Sequence, residues 1–226
     1  MNNWLIDETS PINREELDAS LRGQVVMRGH QPALAVLIND LVIHDTKKWF
    51  GSADVRVDTL IVHGEKEGEP NGYYQALTLP FSNIVDGDRL PIEHPGQRVF
   101  YGHPAHFLDV SIFVSRNTKD SDELATLIKT ELSSDSWQAA AGAVLAATVV
   151  APQAAAIVGA VAGAAILANI AYNLLKNVTS NTIGLYRSSW LQYRNRFGIG
   201  RHPEVDSFRQ QDFSFWYEIV IDKKSA

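Results

Sequence analysis

Alternating apolar and polar positions predict β-strands over much of the chain. In the segment 53–64, Val55, Val57 and Ile61 share one face, whereas Arg56 lies on the other. Towards the end of this segment the second face also becomes apolar, which predicts burial on both sides of a sheet. Turn-forming Gly, Pro and Asp residues separate the other strand-like segments. These segments are 32–45, 73–81, 97–102, 106–116 and 212–222.

Three segments have the patterns of helices. The segment 10–23 ends at a glycine and carries its acidic residues early. The segment 119–132 has an N-cap candidate at Asp120, a glutamate three residues later and an apolar stripe. The segment 184–198 interleaves aromatic and basic residues. We predict that it is also helical.

One long stretch, from Ser136 to Leu175, contains no charged residue. Pro152 divides it, because a proline removes a backbone donor and interrupts a helix. We therefore predict an Ala/Gly-rich helical hairpin inserted into a strand-rich domain. Its second arm, 154–175, would be about 33 Å long as a helix, close to a bilayer core of about 30 Å. The candidate membrane residues are Val144, Val149, Ile157, Gly159, Gly163, Ile166, Leu167 and Leu174, and the two glycines have the G-x-x-x-G spacing of close helix packing.

Three interpretations of this hairpin stay open. Its small residues could allow two helices to pack as the buried core of a soluble domain. It could instead be buried in the soluble form and enter a membrane on a trigger, by analogy with colicin-type pore formers. A permanent transmembrane pair is the third interpretation, although the first arm, 137–151, would be only about 22 Å long.

Charge is distributed unevenly along the chain. The formal net charge is −6, which speaks against a general nucleic-acid binder, yet residues 136–203 contain no acidic residue. Aromatic and basic side chains alternate there, and we predict that they anchor the protein at an anionic lipid surface. In the alternative, the aromatic residues are core and the arginines pair with acids of the first half. The residues concerned are Arg187, Trp190, Tyr193, Arg194, Arg196 and Arg201.

Two stretches resemble the C2 domains, a family of lipid-binding β-sandwiches. They are "LVIHDTKKWFGSADVRVDTLIV" (41–62) and "LDVSIFVSRNTKDSDELA" (108–125). The resemblance covers about residues 24–125 and the last strand. It implies a C2-like sandwich, with Asp45, Asp54, Asp120 and Asp122 matching carboxylates that hold Ca²⁺ in the family. Val114, Ser115 and Arg116 stand where the family has further acids. We therefore expect no cofactor, with Ca²⁺ at the four carboxylates as the alternative.

The remaining features narrow the class of protein. The chain has no cysteine, which excludes disulfides and thiolate chemistry. It shows no catalytic motif, and its acidic start lacks the apolar region of a signal peptide. We expect a cytoplasmic protein that associates with membranes.

These observations combine into one interpretation. The predicted fold is α+β, with a helix and β-sandwich in 1–135, the helical hairpin and basic aromatic segment in 136–202, and a returning strand in 203–226. The predicted function is non-enzymatic association with a membrane or lipid surface, including conditional insertion and pore formation. The alternative is a soluble protein–protein interaction module. Neither interpretation specifies an oligomeric state.

Overall fold

The computed structural model describes residues 5–7, 33–63, 74–104, 107–116, 182–191, 196–203, 208–209 and 212–222. Ten strands account for most of these residues. In chain order they are β1 (Leu5–Asp7), β2 (Leu34–Ile43), β3 (Ala53–His63), β4 (Tyr74–Ile84), β5 (Gln97–Gly102), β6 (Phe107–Arg116), β7 (Thr182–Leu191), β8 (Gly200–His202), β9 (Phe208–Arg209) and β10 (Phe213–Ile221).

The strands form two sheets. The first sheet has the order β1-β7-β6-β3-β4, and the second has the order β5-β2-β10-β8, with β9 also paired to β10. The described pairings are antiparallel except β1 with β7, which is parallel. Strands β6 and β7 are neighbours although residues 117–181 separate them in the sequence. Each sheet therefore contains strands from both halves of the chain.

A hydrophobic core lies between the two sheets. Its side chains alternate along the strands, as Val36 and Ile38 do in β2. Val57, Ile112 and Phe215 contribute from β3, β6 and β10, and all five side chains are at most 2% exposed. Sheets that pack face to face through such alternating positions form a β-sandwich. The arrangement is compatible with the predicted sandwich.

The first sheet is also buried on the face that points away from this core. Leu60 of β3 and Phe113 of β6, which alternate with core residues, are fully buried. The same face of β3 carries Arg56 and Asp58, whose Nη2 and Oδ1 atoms are 2.7 Å apart, with each side chain only 3% exposed. The predicted burial of β3 on both sides is thus confirmed.

The predicted α+β class is wrong. In the part of the chain that the structure describes, a single 3-10 turn at Arg196–Gly198 is the only helical element, every other regular element is a strand, and no helical hairpin is seen. The segments 10–23, 119–132 and 137–175, for which helices were predicted, lie outside the described residues.

The helix predicted over 184–198 is also wrong, because β7 occupies most of it. Strand β7 pairs antiparallel with β6 from Leu191 opposite Phe107 to Thr182 opposite Ser115. Its β-branched and aromatic residues suit a strand. Arg187, which we predicted to be part of an anchor at an anionic lipid surface, is instead buried inside the sheet.

Candidate functional site

Two aromatic residues project from the loop between β2 and β3. Trp49 is 92% exposed and Phe50 is 83% exposed, and their ring centroids are 6.5 Å apart in an edge-on arrangement. We call this pair the aromatic tip. Exposing large apolar side chains to water costs free energy. Two of them side by side therefore indicate a surface that contacts a partner.

The base of this loop is fixed to the sandwich by hydrogen bonds. The backbone N and the Oγ1 of buried Thr46 both donate to Asp86 Oδ1, each at 2.8 Å. The backbone amides of His44 and Asp45 donate to the carbonyl of Asp212 at 2.7 and 3.1 Å. The aromatic tip therefore stands on an ordered base, which lowers the conformational entropy lost when it binds a partner.

Lys47 is held at this base by two carboxylates. Its Nζ lies 2.8 Å from Asp212 Oδ1 and 3.3 Å from Asp45 Oδ2. Desolvation by itself would lower the pKa of Lys47, but hydrogen bonding and charge attraction from Asp212 and Asp45 outweigh it and raise that pKa. The hydrogen bond from the Lys47 backbone amide is the main cause that lowers the pKa of Asp45. Lys47 is thus largely neutralised by its neighbours.

Lys48 has a different environment from its neighbour. It is exposed, and its Nζ donates to the carbonyl of Ser52 in the same loop. A carbonyl satisfies one donor without neutralising the charge. Of the two lysines, Lys48 is therefore the one that presents net positive charge beside the aromatic tip.

The candidate Ca²⁺ ligands are occupied by protein groups. Asp45 accepts hydrogen bonds from Lys47 N and Nζ, and Asp54 Oδ1 accepts one from Asn83 N at 3.1 Å. An ammonium group between Asp45 and Asp212 opposes a divalent cation at the same oxygens. The described residues contain no group of three or more His, Cys, Asp or Glu side chains arranged to hold a metal ion. Asp120 and Asp122 lie outside those residues.

The predicted basic aromatic anchor is dispersed by the fold. Arg187 is 6% exposed, and its Nη2 donates to Asp109 Oδ2 at 2.9 Å inside the first sheet. In this conformation Arg187 does not face a lipid surface, and its contact with Asp109 is of the kind that the alternative interpretation described, in which the arginines pair with acids of the first half. Arg196 is exposed on the 3-10 turn, and exposed Arg201 lies over the Trp216 ring at 4.5 Å. Tyr193 and Arg194 are outside the part that the structure describes.

Trp190 belongs to a polar cluster at the border of the core. Its Nε1 donates to the hydroxyl of Tyr217 at 3.1 Å, and that hydroxyl also bonds to Ser188 at 2.6 Å and Tyr186 at 3.2 Å. The His202 ring packs 4.1 Å from the Trp190 ring. These contacts give Trp190 a structural role, as the alternative interpretation of aromatic residues in the core proposed.

The candidate membrane residues of the uncharged stretch, Val144, Val149, Ile157, Gly159, Gly163, Ile166, Leu167 and Leu174, lie outside the described residues. Within those residues, no helix has the length and apolar character needed to span a bilayer. The aromatic tip was not among the residues predicted from the sequence. Its signal was the run Lys47-Lys48-Trp49-Phe50-Gly51, in which aromatic residues fall between two strands and outside the alternation of either.

Comparison with known proteins gives no relative. No family model, curated protein or solved structure matches this chain significantly.

Proposed function

We propose that this chain associates with a membrane or lipid surface and does not catalyse a reaction. The observation that carries the proposal is the aromatic tip: Trp49 and Phe50 are exposed together beside the charge of Lys48. Tryptophan favours the membrane–water interface, and lysine favours anionic headgroups. A loop that presents all three from an ordered base suits shallow insertion into an anionic bilayer.

The uncharged stretch from Ser136 to Leu175 adds a second argument. A segment of this length without charged side chains avoids the main cost of entering hydrocarbon. We propose that it enters the bilayer after the aromatic tip has docked, and that mildly acidic conditions are the first trigger to test. Docking and insertion are then separate steps with separate readouts.

Vesicle flotation of the full chain tests the docking step. We expect the protein to float with vesicles of phosphatidylcholine and phosphatidylserine. Replacing the tip by Trp49→Ser with Phe50→Ser should weaken binding by at least about tenfold, because two large apolar side chains no longer leave water. The matched control is Ile221→Ser. Ile221 is also an exposed apolar residue, 41% accessible, but it lies at the opposite end of β10 from the loop.

Dye release from the same vesicles tests the insertion step. Leu167→Asp should abolish release while flotation remains, since the tip is intact and a charge now enters hydrocarbon. Failure of the wild-type protein to float at neutral or mildly acidic pH would overturn the proposal. If the tip variant and the Ile221→Ser control floated equally well, the aromatic tip would have no role in membrane binding.

A soluble protein–protein interaction module is the second candidate. The burial of both faces of β3 and β6 favours it, because strands covered on both sides are typical of a sheet in the middle of a soluble domain. In this case the uncharged stretch is core, and Leu167→Asp unfolds the protein. Loss of the cooperative unfolding transition in that variant, together with no flotation of the wild type, would favour the module.

A further inference from the structure

Strand β4 is a long, exposed edge strand that carries no charged residue. It is the last strand of the first sheet among those described, and it runs over 11 residues. No charged residue occurs between Tyr74 and Ile84. Proteins usually protect such edges with charged side chains, short strands or a covering segment, because an open edge pairs readily with another strand. Pro80 interrupts this one, and a register shift in the pairing with β3 lies beyond Phe81, so the regular part of the edge is residues 74–81.

The position of Pro80 shows which backbone groups face outward. Pro80 lies opposite Arg56 of β3 and has no N–H, so it belongs in a non-hydrogen-bonded pair with β3. Residues at intervals of two from Pro80 then share its orientation. The N–H and C=O groups of Ala76 and Thr78 therefore point away from β3, and both residues are exposed.

In the neighbouring edge strand, β5, the backbone of Tyr101 is hydrogen-bonded by a side chain of β4. The Tyr101 amide donates to Gln75 Oε1 at 3.3 Å, and Gln75 Nε2 donates to the Tyr101 carbonyl at 3.0 Å. The amide of Gln75 thus takes the place of a pairing strand at Tyr101. The outward backbone groups of Tyr101 in β5 are therefore paired, whereas Ala76 and Thr78 of β4 are exposed.

We infer that β4 pairs antiparallel with β4 of a second copy of this chain. A two-fold axis places the same strand opposite itself, and this strand has no charge to repel its copy. Leu77, Leu79 and Phe81 pack on the core but are only partly buried. In the dimer, each copy offers the other the same apolar margin. A second copy presents the same uncharged, partly apolar strand. A charged peptide would find no opposite charge on β4 to pair with.

Analytical ultracentrifugation of the full chain tests this inference with two opposed variants. Ala76→Pro removes an outward N–H from each copy and leaves the bonds to β3 in place. We expect the dimer dissociation constant to rise about ten- to a hundredfold, since two backbone hydrogen bonds are lost. Pro80→Ala restores an outward N–H and should strengthen the dimer. Circular dichroism and thermal unfolding show whether each variant keeps the fold.

A charge pair identifies the partner as a second copy. Ala76→Lys puts a like charge on the pairing edge of each copy and should weaken the dimer, with partial recovery at high salt. Mixing Ala76→Lys with Ala76→Glu chains should restore dimers. A wild-type chain that sediments as a monomer at every concentration would overturn the inference, as would a mixture that stays monomeric. None of these outcomes depends on vesicle binding.

Discussion

Arg187 and Asp109 form an ion pair across β7 and β6, with Arg187 Nη2 2.9 Å from Asp109 Oδ2. Neither side chain exceeds 7% exposure. The Oγ of Ser189 also donates to Asp109 Oδ2. Two opposite charges removed from water together in this way are interdependent, because either one alone would be left buried without its counter-charge.

We therefore predict that Arg187→Met lowers the free energy of unfolding by about 3–5 kcal/mol, as expected when a buried ion pair loses one partner. The double variant Arg187→Met with Asp109→Leu should recover much of that loss. Urea unfolding of the single and double variants measures both effects. If Arg187→Met kept its stability but lost vesicle flotation, the arginine would be a lipid anchor after all.

The sequence predicted most of the strands because their faces differ in polarity. Strand β10 shows this directly, since Phe213, Phe215, Tyr217 and Ile219 are buried at alternate positions. Strand β7 was missed for the opposite reason. Its Arg187 is buried and paired with Asp109, which is far away in the sequence. The polarity of the side chains in β7 therefore does not indicate which face of the strand is exposed to water.

The candidate site was harder to predict than the strands. The sequence identified Asp45 by its resemblance to a carboxylate of the C2 family, but the ammonium that opposes a cation there belongs to Lys47, and the second carboxylate, Asp212, comes from near the end of the chain. The one local signal for the exposure of Trp49 was its position outside the alternation of both strands, and this signal competes with the general tendency of tryptophan to be buried. Both features depend on which distant segments meet.

Gly198 supports the position of Trp190, and we predict a cost for filling its space. Its φ is +66°, and an added Cβ would overlap the Trp190 indole ring. Gly51 is the matched control, with φ +75° and no atom near the added Cβ. Gly51→Ala should cost about 1–2 kcal/mol for the left-handed backbone alone. Gly198→Ala should cost about 1–3 kcal/mol more because of overpacking. Equal losses in chemical denaturation would show that the indole moves freely.

Lys47 and Lys48 are adjacent lysines for which we predict separable effects. Lys48→Met should weaken binding to anionic vesicles and reduce its dependence on salt, because that charge is not neutralised by a carboxylate. Lys47→Met should mainly lower stability, because Asp45 and Asp212 would lose their shared cation. Flotation at low and high salt, paired with urea unfolding, distinguishes the two. An identical change in salt dependence for both variants would contradict this division.

The salt bridge of Lys47 with Asp45 and Asp212 also leads to a prediction about the pH dependence of stability. It is tested by comparing wild type with Lys47→Met. The pKa of Asp45 is lowered from its ordinary value of 3.8, so its contribution is present above 3.8 and is lost as pH falls through the lower folded value. The pKa of Lys47 is raised from 10.5, so its contribution is complete below 10.5 and is lost as pH rises through the higher folded value.

The difference in unfolding free energy between wild type and Lys47→Met should therefore be flat through the neutral range and shrink only at the two extremes. Urea unfolding of both proteins across a pH series measures it, and titrations unrelated to the bridge cancel in the difference. A marked change between mildly acidic and neutral pH would contradict the bridge as its source.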